Sequence, residues 1–311
     1  MDSISDIIYK GLKVSSRGWD RTRRYTKRYI FNKRSTNSKY LVMILAGYQD
    51  YVWDDVFKRI SNFVPENYDV CIVSAGVRKE KLEKIAEKYG WSYLSTKANK
   101  LAMALNTTIK LHPKAEYIFK LDEDIFVGEH FFDELLDTYH FANNDGIYKI
   151  GFVAPVMNVN GASYRYFLKK IGCLSEYEEK YGIARITCDD DNVFKNGQSA
   201  KFLWSKSFPF DDIVNLFLNN QEKEYFTSPI RYSIGAILIH RERWNEAGGF
   251  ISSGNGQLAW DELELCRFCM NSSSAIIIST KVFAGHFGFG KQKADMIPFY
   301  EKNKEKFGIF N

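Results

Sequence analysis

No apolar run in the chain approaches the roughly 18–20 residues that a membrane-spanning helix needs. The longest candidates, around Ile234–Ile239 and Ala275–Ile278, have the length of strands. Proline is scarce, with six in 311 residues, and no Gly/Ser-rich stretch interrupts the sequence. No flexible linker is therefore expected, and one compact unit is favoured. The five cysteines are an odd number without a disulfide framework, which points to a reducing, cytoplasmic setting. The first residues also lack the apolar core and small-residue cleavage site of a secretory signal. Cys266 and Cys269 form a C-x-x-C without a second pair, so core packing is expected there rather than structural zinc. A glycine-rich phosphate loop of the P-loop kind and a G-x-S-x-G elbow are both missing.

What is present excludes disorder for the bulk of the chain. Hydrophobic residues make up 45% and aromatics 16%, well above disordered composition. The net charge of +5 is uneven. Residues 1–39 hold eleven basic and three acidic side chains, and the rest of the chain is net −3. The basic part opens with Ile4, Ile7, Ile8 and Leu12 at helical spacing. It continues with Arg21, Arg23, Arg24, Lys27, Arg28, Lys33 and Arg34 among Trp19, Tyr25, Tyr29, Ile30 and Phe31. Such a segment suits an anionic membrane surface, and equally an arm that is solvated or docked on its own domain. Nucleic acid is a weaker match, because the remainder offers no extended basic face.

From Tyr40 onward, apolar runs alternate with helical periodicity. Strands are predicted at Leu41–Ala46, Tyr68–Ser74, Trp91–Leu94 and Glu116–Leu121, with helices at Tyr51–Phe63, Arg78–Tyr89, Lys97–Leu111 and Glu129–Tyr139. This alternation predicts an α/β fold with a mostly parallel sheet covered on both faces. Ligands of such sheets sit beyond the carboxyl ends of the strands. The later chain is less regular, with strands predicted at Ile150–Pro155, Ser233–His240, Ala275–Ser279 and Val282–Ala284. Residues 158–229 read as loops and short helices over the sheet edge.

Chemistry is concentrated at a few strand and helix ends. Asp122-Glu123-Asp124 follows the apolar strand directly. Adjacent acids at a strand end repel one another, and a divalent cation removes that cost. A solvated acidic turn is the plain alternative. Asp189-Asp190-Asp191 lies in a polar stretch, where a solvated turn is the better reading. Asp261 and Glu262 open a helix in which Leu263, Cys266 and Met270 recur at helical spacing. One of these acids facing a cleft would be a general base; acids also favour first turns simply through the helix dipole. His286 lies between Gly285 and Gly288 and is a candidate metal ligand or a packed residue.

In chain order, these pieces resemble the GT-A glycosyltransferases, specifically the family 2-like group. Leu41–Tyr48 is similar to the first strand and its nucleotide-facing turn, and Lys100–Asn106 to the family's "GKAxALN" helix. Asp122–Asp124 stands at the D-x-D position. Gly235-Ala236, Arg241, Arg243 and Gly248-Gly249-Phe250 resemble the "GA…RR…GGF" segment, and Asp261–Arg267 the "ED-x-D-L-x-x-R" helix. Two departures stand out. Ser74-Ala75-Gly76 replaces the usual Asp-Asp-Gly-Ser turn that reads uracil, and Asp261-Glu262 reverses the common Glu-Asp order.

The resemblance implies a GT-A domain over residues 40–311, with a nucleotide-sugar half near 40–155 and an acceptor half near 156–311, behind a basic extension over 1–39. It implies an inverting transfer from a nucleotide-diphosphate sugar, chiefly a UDP-sugar, to a hydroxyl of a glycan or lipid-linked glycan in surface polysaccharide synthesis. Asp122, Asp124 and His286 would bind Mn²⁺ or Mg²⁺. Tyr48, Lys100, Asp122, Glu123 and Asp124 would meet the nucleotide. Glu262, or Asp261 in its place, would be the base. Trp260, Gly235 and Trp204 are candidates for the sugar or acceptor. The location expected is cytoplasmic, with peripheral contact to the membrane. A sugar- or nucleotide-binding protein without catalysis is the alternative, and it has no need of acids at all these places.

Overall fold

A computed structural model of the chain describes residues 24–188, 191–221, 224–252, 259–288 and 290–309. The Ile4–Leu12 segment, Trp19, Arg21, Arg23, Asp189 and Asp190 lie outside the described residues. Ten strands form one sheet: β1 (Tyr29–Asn32), β2 (Tyr40–Leu45), β3 (Asp69–Ala75), β4 (Ser92–Thr96), β5 (Tyr117–Asp122), β6 (Ile125–Phe126), β7 (Ile150–Met157), β8 (Tyr225–Thr227), β9 (Ala236–His240) and β10 (Ala275–His286). Their spatial order is β1-β4-β3-β2-β5-β9-β7-β10-β6, with β8 also on β10.

Pairing is parallel within β4-β3-β2-β5 and between β7 and β10. Strand β9 runs antiparallel between β5 and β7. Strands β2, β3, β4, β5, β7 and β10 therefore share one direction, and the sheet is α/β and mostly parallel as expected. Every residue of β3 and β7 is buried, which requires cover on both faces and explains their unbroken apolar runs. The crossovers are helical. Trp53–Phe63 buries Trp53, Val56, Phe57 and Ile60, one stripe at helical spacing. Glu80–Lys88 buries Leu82 and Ala86, and Leu101–Leu111 is buried over most of its length.

The chain runs outward from β2 to β3 to β4, then returns to lay β5 on the other side of β2. The carboxyl ends of β2 and β5 thus flank a topological switch point, where open α/β sheets bind ligands.

Three expectations change. The two short strands predicted after Ala275 are one strand, β10, with a register shift between Ile278 and Phe283 where Ser279-Thr280-Lys281 interrupts the apolar run. Residues 158–229 contain the short helices Tyr164–Lys170, Leu174–Tyr181, Gly197–Ser205 and Phe210–Leu218, together with β8 on the edge of β10. The basic extension is not separate from the sheet up to residue 39. Strand β1 pairs antiparallel with β4 at the edge. Buried Asp69 accepts from the Ser35 hydroxyl at 2.7 Å, the Thr36 N–H at 2.7 Å, the Thr36 hydroxyl at 2.9 Å and the Ser38 N–H at 3.0 Å. Burial raises the Asp69 carboxyl, but these donors outweigh it and hold it below the ordinary carboxylate range. Composition marked a charge boundary there, while hydrogen bonding from 69 made the segment part of the fold. Among the described residues, no helix is long and apolar enough to cross a membrane.

Candidate active site

A cavity of about 780 Å³ opens at the carboxyl ends of the parallel strands. Its lining includes Ala46 past β2, Ala75 at the end of β3, Asp122 at the end of β5, Val159 past β7 and His286 at the end of β10. Tyr48, Lys100, Glu123, Asp124, Gly235, Trp260, Asp261 and Glu262 also border it. Of the residues named for the metal, nucleotide, base and sugar roles, all but Trp204 border this cavity.

The three acids after β5 have different partners. Asp122 is bound by Lys120, whose Nζ lies 2.5 Å from Oδ1 and donates to the Ile234 carbonyl at 2.8 Å. Burial raises the Asp122 carboxyl, Lys120 lowers it and Asp124 raises it again, leaving a net rise. Its side chain keeps 32% of its surface open, so this is the partial desolvation of a cleft wall. Glu123 turns inward. It accepts from the N–H of Gly47 at 2.8 Å, the N–H of Tyr48 at 3.0 Å and the Trp53 indole at 2.6 Å. Glu123 therefore anchors the turn after β2, with both carboxylate oxygens held by protein donors. Burial pushes its carboxyl up, and the bonds from Gly47 and Trp53 pull it back in part.

Asp124 faces His286. Asp124 Oδ2 accepts from the Gly288 N–H at 3.2 Å and lies 3.7 Å from His286 Nε2. The β10–β6 register sets this approach by placing His286 opposite Ile125. The other ring nitrogen, Nδ1, is 2.7 Å from the Val159 carbonyl. A carbonyl only accepts, so Nδ1 carries a hydrogen, and Nε2 is the ring nitrogen that faces Asp124. Such a carbonyl partner is the usual way of fixing a metal-ligating imidazole. This pair of donors fits a divalent cation. The expected third ligand does not join it: Asp122 is tied to Lys120, and no group of three or more such ligands is assembled among the described residues.

Trp204 is corrected from an acceptor contact to a buttress. It is fully buried, packs against a tilted Phe307 ring at 4.8 Å and edge-on against Phe126 at 5.3 Å, and donates its indole N–H to the His286 carbonyl at 3.0 Å. Asn158 holds the His286 N–H at 2.9 Å from the other side.

Glu262 lies in the first turn of the helix Trp260–Asn271. Its Oε2 accepts from the Ile234 N–H at 3.3 Å, and Arg231 Nε is 3.1 Å from Oε1. That contact is an ion pair without hydrogen-bond alignment, since the Arg231 Nε–H has no hydrogen-bond partner. Burial raises the Glu262 carboxyl and Arg231 lowers it, with a net rise. A carboxylate raised in this way is a stronger proton acceptor. Asp261 and Trp260 border the cavity from the same turn.

Opposite, Tyr48 is half exposed and its hydroxyl is 3.4 Å from the Asn99 side chain. Lys100 precedes the helix Leu101–Leu111, whose first turn carries no acid. Ser74 cannot stand in for a base-reading acid, because its hydroxyl donates to the Ala46 carbonyl at 2.8 Å. At Gly76 the backbone is left-handed, and a Cβ would lie 2.4 Å from that of Asn99. The segments compared with "ALN" and "GGF" meet at Asn106. Its side chain bonds the Phe250 N–H at 2.9 Å and the Phe250 carbonyl at 2.8 Å.

Lys120, Arg231, Asn160 and Gln292 went unflagged in the sequence, yet they too border the cavity. For Lys120 a signal existed, a lone cation inside Tyr117–Leu121. The other three sit in stretches without periodicity.

No family model matches the chain, and no curated protein matches it. Among solved structures, the chain is similar to a crystal structure of GalNAc-T7 with UDP, GalNAc and Mn²⁺, at 13% identity and TM-score 0.45 over 81% of this chain and 44% of that one. It is also similar to the mannosyltransferase PcManGT from Pyrobaculum calidifontis in complex with GDP-Man and Mn²⁺, at 14% identity and TM-score 0.47 over 90% of this chain and 68% of that one. The chain thus spans less than half the length of the first.

Proposed function

We propose that the protein is a glycosyltransferase that moves a sugar from a nucleotide-diphosphate sugar to an acceptor hydroxyl with inversion. The observation that carries this reading is the convergence of Asp122, Asp124, His286 and Glu262 on one cavity at the switch point of the sheet. Asp124 and His286 would hold Mn²⁺ or Mg²⁺, whose charge would offset that of a diphosphate leaving group. The N-terminus of Leu101–Leu111 and Lys100 favour an anion at the same mouth. Tyr48 and Asn99 flank the place for the nucleobase; with no uracil-reading acid at Ser74-Ala75-Gly76, UDP-sugars and GDP-sugars are tested side by side.

Glu262 accepts the proton of the acceptor hydroxyl as its oxygen bonds to the anomeric carbon. The bond from that carbon to the diphosphate breaks, and its electron pair leaves with the diphosphate. Burial supports Glu262 in this role, and Arg231 orients it. Asp261 remains the substitute base. The test is Glu262→Gln. Turnover should fall about 10²–10⁴-fold with donor binding retained; unchanged turnover in a folded variant would remove Glu262 from the role.

The acceptor in this reading is a glycan or a lipid-linked glycan. The start of the chain supports it: residues 1–23 carry five Lys/Arg and the apolar Ile4, Ile7, Ile8 and Leu12 at helical spacing. Removing residues 1–23 preserves β1, and should weaken sedimentation with anionic vesicles. Unchanged sedimentation would withdraw the membrane contact.

A further inference from the structure

Two buried side chains outside the proposed machinery border the cavity and carry polar atoms with no partner in the protein. Asn160 Nδ2 and Gln292 Oε1 have no hydrogen-bond partner, each residue is only 1% exposed, and both border the cavity. Buried polar groups are nearly always paired, and an orphan carries its full desolvation penalty.

The orientation of Asn160 is fixed by its other half. Its Oδ1 accepts from the N–H groups of Ala162 at 2.9 Å and Ser163 at 3.2 Å, so the atom left unpaired is the amide nitrogen. Gln292 packs against Gly288, where a Cβ would come within 2.3 Å of Nε2. Both residues are therefore joined to the Asp124–His286 pair. Asn160 follows Val159, which holds His286, and Gln292 touches Gly288, which bonds Asp124.

The two orphan atoms select a ligand chemistry. Asn160 offers a donor and Gln292 an acceptor, and neither is charged. An ionised phosphate or carboxylate would satisfy Asn160 and repel Gln292. A cation would do the reverse. Neighbouring hydroxyls on a sugar ring satisfy both, because a hydroxyl accepts and donates. We infer that Asn160 and Gln292 form a subsite for hydroxyls of the transferred sugar. This inference rests on the nucleotide-sugar reading of the cavity, and it makes the pair the determinant of which sugar is accepted.

The test is titration calorimetry with Mn²⁺, using UDP, GDP, UDP-glucose, UDP-galactose, UDP-N-acetylglucosamine and GDP-mannose, on the native chain, Gln292→Met and Asn160→Asp. Asn160→Asp keeps the oxygen that holds Ala162 and Ser163 and removes the donor. The readout is the affinity for the best nucleotide sugar divided by that for its free nucleotide. Each variant should lower this ratio about tenfold, the worth of one hydrogen bond to a substrate hydroxyl. Ligand-free Gln292→Met should melt no lower than the native chain, because no protein bond is lost. An unchanged ratio in both variants would overturn the subsite while nucleotide binding still upheld the proposed function. A Gln292→Met protein that melts several degrees lower would show Gln292 to be a structural residue and overturn its part. If the native chain bound no nucleotide, the proposed function and the subsite would both fall.

Discussion

The two walls of the cavity are built differently. On the wall made by β2, β5 and the turns after them, the buried polar groups satisfy one another. Glu123 takes the Gly47, Tyr48 and Trp53 N–H groups, and Lys120 takes Asp122 and the Ile234 carbonyl. On the facing wall, Asn160 Nδ2, Gln292 Oε1 and Arg231 Nε have no hydrogen-bond partner, although Arg231 Nε stays ion-paired with Glu262. The first wall pairs its buried polar atoms within the protein; the second leaves some of them unpaired. Neighbours in sequence divide along the same line: Glu123 holds the backbone, while Asp124 faces His286 across 3.7 Å.

Substitutions on the paired wall should act on stability first. Lys120→Met leaves Asp122 and the Ile234 carbonyl without their buried cation. It should cost about 3 kcal/mol in urea unfolding, the usual scale for breaking one side of a buried pair. A loss below about 1 kcal/mol would mean that Lys120 does not hold this wall together. Glu123→Gln keeps the shape but replaces a charged acceptor by a neutral one. It should cost about 2 kcal/mol and weaken nucleotide binding indirectly by loosening the Gly47-Tyr48 turn. Nucleotide affinity lost without any loss of stability would instead make Glu123 a direct contact.

The smallest effect belongs to the base. In the folded chain the Glu262 carboxyl lies above the ordinary value of 4.5. Its ionised form is thus disfavoured by folding. The stability it contributes is complete below that ordinary value and is lost as the pH rises through the raised one. Glu262→Gln should therefore stabilise the ligand-free chain at pH 8, by about 1 kcal/mol or less, and the gain should vanish toward pH 4. Thermal melts at the two pH values decide the sign; a variant less stable at pH 8 would mean that the ion pair with Arg231 outweighs burial.

Much of this was legible in residue order. Apolar runs with helical periodicity between them gave the β2–β5 half almost element by element, because parallel strands buried on both faces leave a continuous signal. Acids at the ends of such strands marked the cavity. Which acid did what was not legible, because it depends on distant partners: Glu123 is fixed by Gly47 and Trp53, and Asp122 by Lys120 together with Ile234. Trp204 read as an acceptor candidate in a stretch without periodicity, and distant rings such as Phe126, Phe287 and Phe307 bury it. Whether the basic segment up to residue 39 docks on its own domain stayed open in the sequence, since nothing local reveals that Asp69 will collect Ser35, Thr36 and Ser38. Asn160, Arg231 and Gln292 were silent because an unpaired polar atom is a property of the assembled fold.

The most direct measurement is nucleotide binding by calorimetry on the native chain, Asp124→Ala and His286→Ala, each with and without Mn²⁺. The account predicts binding of UDP or GDP to the native chain that is strengthened by Mn²⁺, with the metal-dependent part lost in both variants while their folds stay intact. Binding that ignores Mn²⁺, or that survives unchanged in both variants, would contradict the assignment of this cavity as a metal-assisted nucleotide-sugar site.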